Sequence, residues 1–299
     1  MERNCLKTGI MCAFCLMSLS VALTSCSSDG DEPEGNESGR KLRQLTISEV
    51  PITRATLTDN SGSLGAAWKA GDKATLVNVS AIPSELLYGY FTATSNAVTS
   101  SFTGSIFCEA QDKLALIYPK VEPQTGNGTF TINLSGQKGT LDDVATNCHY
   151  VYGVGEVTSA TKATATATIS PMKSLLAVAQ FLFKDKETDA AIPVKTLKIS
   201  YGDALSIGYP QSATVEPKVN PDNLVLIKPE QEYWSALTVT LDNEISSGVY
   251  VALLPCGELY AEDFFFSVTT ANEVVYTGTA SATLKAGKYY PVTLKLLKQ

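Results

Sequence analysis

Apolar residues in this chain recur in short runs or in strict alternation, and no long window holds the 3.6-residue period of an amphipathic helix. The runs fall at residues 113–118, 129–134, 175–183, 194–201, 224–227, 237–241, 249–254, 264–269, 274–277 and 289–296. They are rich in Val, Ile, Thr, Tyr and Phe, which pack well on a pleated surface, so each predicts a strand. Turn clusters separate them: Pro-Gln-Thr-Gly-Asn-Gly from Pro123, Asn-Pro-Asp-Asn from Asn220 and Lys-Ala-Gly-Lys from Lys285. Residues 140–150 fit either a short helix or an irregular loop. Many short strands at close spacing predict an all-β protein of two tandem β-sandwich domains. The charged stretch from Lys184 to Pro193 sets the boundary, giving domains at 45–188 and 189–299.

The N-terminus departs from this pattern. Arg3 and Lys7 precede an apolar run at residues 9–23, which is shorter than the about 20 apolar residues that a spanning helix needs. A basic start, a short apolar stretch and small residues at its end describe a signal peptide over residues 1–25. Its end, Leu23-Thr24-Ser25-Cys26, matches the bacterial lipobox, which implies a diacylglycerol on Cys26 and cleavage just before it. Behind Cys26 runs Ser-Ser-Asp-Gly-Asp-Glu-Pro-Glu-Gly-Asn-Glu-Ser-Gly, too polar to bury itself, so residues 26–44 are expected to form an acidic tether. An acidic run in this place also resembles the export signal of lipoproteins displayed on the outer face of the outer membrane. Its acidic residues lack the offsets of a calcium loop.

Composition narrows the function classes. The chain carries a formal charge of -7, and its lysines and arginines are scattered, so it lacks the basic footprint of a nucleic-acid binder. Of 7 Cys, three leave with the signal peptide and Cys26 takes the lipid. Cys108, Cys148 and Cys256 remain, which allows a Cys108–Cys148 disulfide with one thiol over, or three buried thiols. No zinc-ligand spacing, phosphate loop or dinucleotide fingerprint is present, so no metal or cofactor is expected. His149 is the only histidine, and every histidine-dependent catalytic arrangement would have to use it. Its neighbour Cys148 would point to the opposite face of a strand, and the Asp142-Asp143 pair reads as a solvated turn. The chain is therefore expected not to be an enzyme.

A family resemblance enters through ordered motifs. Leu45-Thr-Ile-Ser-Glu-Val-Pro-Ile-Thr-Arg54-Ala55-Thr is followed by Trp68-Lys-Ala-Gly-Asp72, then Tyr118-Pro119, Ile-Asn-Leu-Ser-Gly-Gln-Lys-Gly-Thr-Leu from Ile132, and Tyr150-Val-Tyr-Gly153. Ala286-Gly-Lys-Tyr-Tyr-Pro-Val-Thr-Leu closes the series. Their order resembles fimbrillin-like proteins, the type V pilins and related surface lipoproteins of Gram-negative gut and oral bacteria. The resemblance implies sandwiches of transthyretin-like, Greek-key type. It also implies that a trypsin-like or gingipain-like protease cuts after an arginine and removes the first strand, and that a strand of another fimbrial subunit fills the groove.

The matching bond here is Arg54–Ala55, and Leu45, Ile47, Val50 and Ile52 are the apolar residues of the strand that would leave. The alternative is an ordinary loop arginine and a strand that stays. Stalk pilins of the family carry further C-terminal sequence for donation, whereas this chain stops at Gln299, which suits a tip or accessory subunit. The other function class is a non-polymerising surface lipoprotein that binds glycans, with Trp234 beside Tyr233 as its aromatic candidate. A host or bacterial surface ligand is expected for either.

Overall fold

The computed structural model describes residues 36, 38–52, 56–59, 64–205, 207–218, 226–227, 234–255 and 263–299. Among these the chain forms twenty strands: β1 (Lys41–Pro51), β2 (Thr56–Asp59), β3 (Leu64–Ala67), β4 (Lys73–Asn78), β5 (Tyr88–Ala93), β6 (Thr99–Cys108), β7 (Lys113–Tyr118), β8 (Phe130–Asn133), β9 (Val151–Ala160), β10 (Thr164–Ile169), β11 (Lys173–Ser174), β12 (Ala177–Asp185), β13 (Val194–Tyr201), β14 (Ser212–Val215), β15 (Leu226–Ile227), β16 (Leu237–Ile245), β17 (Val249–Leu253), β18 (Asp263–Thr269), β19 (Val275–Ser281) and β20 (Tyr289–Lys298). The all-β expectation holds, and the runs at 113–118 and 194–201 match β7 and β13 to the residue.

The first sheet runs β10-β1-β6-β5-β4-β7-β9-β11, and β9 also pairs with β10, so the sheet returns on itself around a core. The closure turns on β9, whose first half pairs with β7 and whose second half pairs with β10. At the changeover a Cβ on Gly155 would lie 1.7 Å from the Thr168 carbonyl oxygen, so the two backbones approach as only glycine allows.

The second sheet runs β16-β13-β18-β19-β20-β12-β17, and a three-stranded sheet, β15-β14-β8, accompanies it. Strands β4 and β7 lie between two cores. Leu76, Leu114 and Leu116 face the first, while Val77, Ala115 and Ile117 join the second. A strand covered on both faces needs no polar alternation, which explains the unbroken apolar run of β7.

The change from one sheet to the other falls between Ser174 and Ala177, upstream of the expected boundary at 188/189. Leu175 to Ala179 hold no turn residues and pass directly into β12, which pairs with β17 and β20. The charged stretch after it is a turn within the second sheet. Asp185 Oδ1 accepts the N–H groups of Glu187 and Thr188 at 2.8 and 3.0 Å, and Asp189 takes a left-handed φ of 59°.

The two halves also interlock. β8 pairs with β14 across the halves, and Gln137 reaches the open edges of β16 and β17. Gln137 accepts the Thr240 N–H at its backbone oxygen (3.2 Å) and the Ala252 N–H at Oε1 (2.8 Å), and its Nε2 donates to the Ala252 carbonyl at 3.0 Å. One residue thus caps both strand edges, β16 through its backbone oxygen and β17 through its side chain. Beyond it, one helical turn (Leu141–Asp143) leads into a wider turn at Val144–Cys148, and the Thr140 hydroxyl accepts the Asp143 N–H at 3.1 Å.

Candidate functional site

β1 is an interior strand. It pairs antiparallel with β6 from Lys41 to Pro51 and parallel with β10 from Gln44 to Ile47. Leu45, Ile47 and Val50 are fully buried and Ile52 nearly so. Each such side chain contributes about 1.5–3 kcal/mol on leaving water, so the strand is firmly seated by its apolar row alone. The alternation shifts between Ile47 and Val50, where the register breaks and Glu49 adopts a φ of 52°. This bulge lets Val50 rejoin the core side. Past it, the indole N–H of Trp68 donates to the Val50 carbonyl at 2.9 Å, and the Trp68 ring meets Phe102 and Tyr118 edge-on at 4.8 and 5.2 Å. The Trp-x-x-Gly-Asp motif is thus core packing followed by a turn: Gly71 has a φ of 93°, and Asp72 Oδ2 accepts the Lys69 N–H at 2.8 Å.

The start of the strand is held by charge. Arg40 donates to Asp112 through Nε and Nη2, at 2.8 and 2.9 Å, in the planar two-pronged arrangement of an arginine–carboxylate pair. Asp112 also accepts from Asn78 Nδ2 at 2.8 Å and from the Glu109 N–H at 2.9 Å. Burial would push the Asp112 carboxyl up, but the Arg40, Glu109 and Asn78 hydrogen bonds together hold it below the usual carboxylate range. Arg43, almost wholly buried, donates through Nε to the Thr161 carbonyl at 2.7 Å, through Nη1 to the Cys108 carbonyl, and through Nη2 to Glu109 at 3.0 Å. Ordered contacts begin earlier still, with Asn36 Nδ2 donating to Glu85 at 2.8 Å. Strand structure therefore starts at Lys41, inside the segment expected to be tether, because both arginines find carboxylates.

Other residues singled out in the sequence fall as follows. Cys26, Arg54, Ala55 and Cys256 lie outside the described residues. The Cys108–Cys148 disulfide is not formed. Both are free thiols, Cys108 in the first core and Cys148 in the second, and burial pushes them up to about 11 and about 12 respectively. Raised this far, the Cys148 thiol does not ionise at neutral pH, so it is a poor nucleophile beside the buried His149. Asp143 serves the local turn, accepting the Lys138 N–H at 2.7 Å and Asn147 Nδ2 at 2.8 Å. Trp234 is buried against Tyr201, ring centroids 5.8 Å apart, and offers no open face to a sugar. The arginine anchors were not singled out in the sequence; their signal was the pair of arginines flanking Lys41-Leu42 directly before an apolar alternation.

No family model matches this sequence, and no curated protein is detectably similar to it. Solved structures are similar. A candidate cell adhesion protein from Bacteroides uniformis aligns over 88% of this chain and 97% of its own, at 16% identity and a TM-score of 0.54. The tip fimbrial protein Mfa3 from Porphyromonas gingivalis aligns over 86% and 95%, at 10% identity and a TM-score of 0.43. A candidate polysaccharide-binding protein from Bacteroides thetaiotaomicron aligns over 77% of each chain, at 11% identity and a TM-score of 0.37. The first of these is near enough to fix the fold. The chain shares the fold of the Bacteroides uniformis protein, in keeping with its resemblance to fimbrillin-like surface proteins.

Proposed function

We propose that this protein is a cell-surface fimbrial subunit, structural or adhesive in role, whose first strand is exchanged for a strand of another subunit. The observation that carries the reading is the position of β1. Among the described residues it is the first strand by sequence and an interior strand by pairing, with ladders on both sides and the apolar side chains of Leu45, Ile47 and Val50 in the core. Its removal would leave backbone donors and acceptors unpaired on β6 and β10 and an empty apolar row between them. An extended segment from another chain satisfies both needs.

The distribution of arginine supports a processing step. From Ala55 to Gln299 the chain holds 17 lysines and no arginine, so a protease specific for arginine finds no site in that part. Of the three arginines left after the signal peptide, Arg40 and Arg43 are engaged in β1, and Arg54 follows the strand. In this account Cys26 carries the lipid to the outer membrane and the cell surface, and cutting after Arg54 parts lipid, tether and β1 from the rest. The subunit then acts by binding other subunits and a surface ligand, as a tip or accessory pilin and without catalysis.

The test is made in cells. Sheared surface filaments should contain this chain beginning at Ala55, and an Arg54→Gln variant should stay in the membrane fraction. Recovery of the variant in filaments at the normal level would refute the exchange.

A further inference from the structure

We propose that the slot occupied by β1 selects its replacement by charge, favouring a donor strand that carries an arginine level with Arg40, ahead of the apolar residues level with Leu45, Ile47 and Val50. This rests on the reading of β1 as an exchangeable strand and names the chemistry of the partner segment.

The Asp112 side chain is 8% exposed and sits in the turn between β6 and β7, fixed by Asn78 and the Glu109 N–H. Neither of those partners carries positive charge. In the seated form Arg40 supplies the charge with two parallel hydrogen bonds, and Arg43 supplies a second guanidinium to Glu109, the Cys108 carbonyl and the Thr161 carbonyl. Withdrawal of β1 takes both guanidiniums away and leaves the Asp112 carboxylate with neutral donors only. Loss of one member of such a pair leaves the other charge without its partner, which costs more than replacing both.

A donor with the right apolar alternation would refill the middle of the slot and still leave this end uncompensated. A donor with arginine there restores both hydrogen bonds. Lysine would bring the charge without the planar fork and so ranks between arginine and a neutral residue. The alternation gives affinity that any hydrophobic strand shares; the carboxylate end distinguishes one strand from another.

The experiment uses the whole secreted chain, cut once after Arg54, with the protease then inhibited. A fluorescent peptide of residues 36–54 is offered in excess, alongside Arg40→Gln and Arg40→Lys versions, and its uptake into the protein is measured. Substitutions in the peptide leave the folding of the body untouched. The natural peptide should be taken up about tenfold or more better than the Arg40→Gln peptide, with Arg40→Lys between them. An Asp112→Asn body should take up the natural and Arg40→Gln peptides alike. Equal uptake of all three by the unaltered body overturns the charge selection while leaving strand exchange intact. Failure of every peptide to enter overturns exchange itself, and the selection with it.

Discussion

The indole N–H of Trp68 donates to the carbonyl of Val50 at 2.9 Å, tying the strand that begins the first sheet to a residue 18 positions further on. Trp68 is wedged between Phe102 and Tyr118, so the bond is made inside the core and out of reach of water. Trp68→Phe keeps most of the ring packing and loses the donor, which should cost about 1–3 kcal/mol because the Val50 carbonyl is left unpaired. Trp68→Ala should cost about 3–5 kcal/mol. Denaturant unfolding of the uncut chain measures both.

The Arg40–Asp112 pair predicts a pH dependence. The folded carboxyl is held below its ordinary value, so its contribution to stability is complete above the usual carboxylate range. It is lost as pH falls through the lowered folded value. Unfolding midpoints at pH 6 and pH 3 should differ more for the unaltered protein than for Arg40→Gln. Equal differences would show that the pair contributes nothing.

Gln137 binds β16 through its backbone oxygen and β17 through its side chain, so a substitution tests the β17 contacts alone. Gln137→Ala leaves the N–H and C=O of Ala252 without these partners in a buried setting, and each such group costs about 1–3 kcal/mol. The variant should unfold at distinctly lower denaturant, and amide exchange at Ala252 should accelerate. Replacement by Glu removes the donor to Ala252 and should not rescue.

Two thiols give a chemical check. In the native protein Cys108 and Cys148 should resist alkylation, since both are buried and un-ionised. After denaturation without reductant both should alkylate fully, and a peptide map should contain no Cys108–Cys148 link.

Much of the fold was legible in the sequence. β7 was readable to the residue because Leu, Ala, Ile and Tyr run unbroken after Lys113, and β13 because Val194, Leu197, Ile199 and Tyr201 recur among polar residues. β10 was not, although it alternates Thr and Ala without fault, because its buried members are the small Ala165 and Ala167. The charged residues near Asp189 read as a linker and proved to be a turn, since polarity marks both. The apolar row of β1 was also readable. The arginine anchors were not, because a charge in a sequence reads as solvated until the fold brings a carboxylate to it, and Asp112 lies 72 positions from Arg40. Gln137 was hidden for the same reason: nothing local marks a glutamine whose partners sit on strands more than a hundred residues away.

The most direct measurement is the intact mass of the secreted chain after exposure to an arginine-specific protease under native conditions. The large product should be one stable piece spanning Ala55 to Gln299, with no further cuts in it because that part holds no arginine. An Arg54–Ala55 bond that survives while the protein stays folded would contradict it.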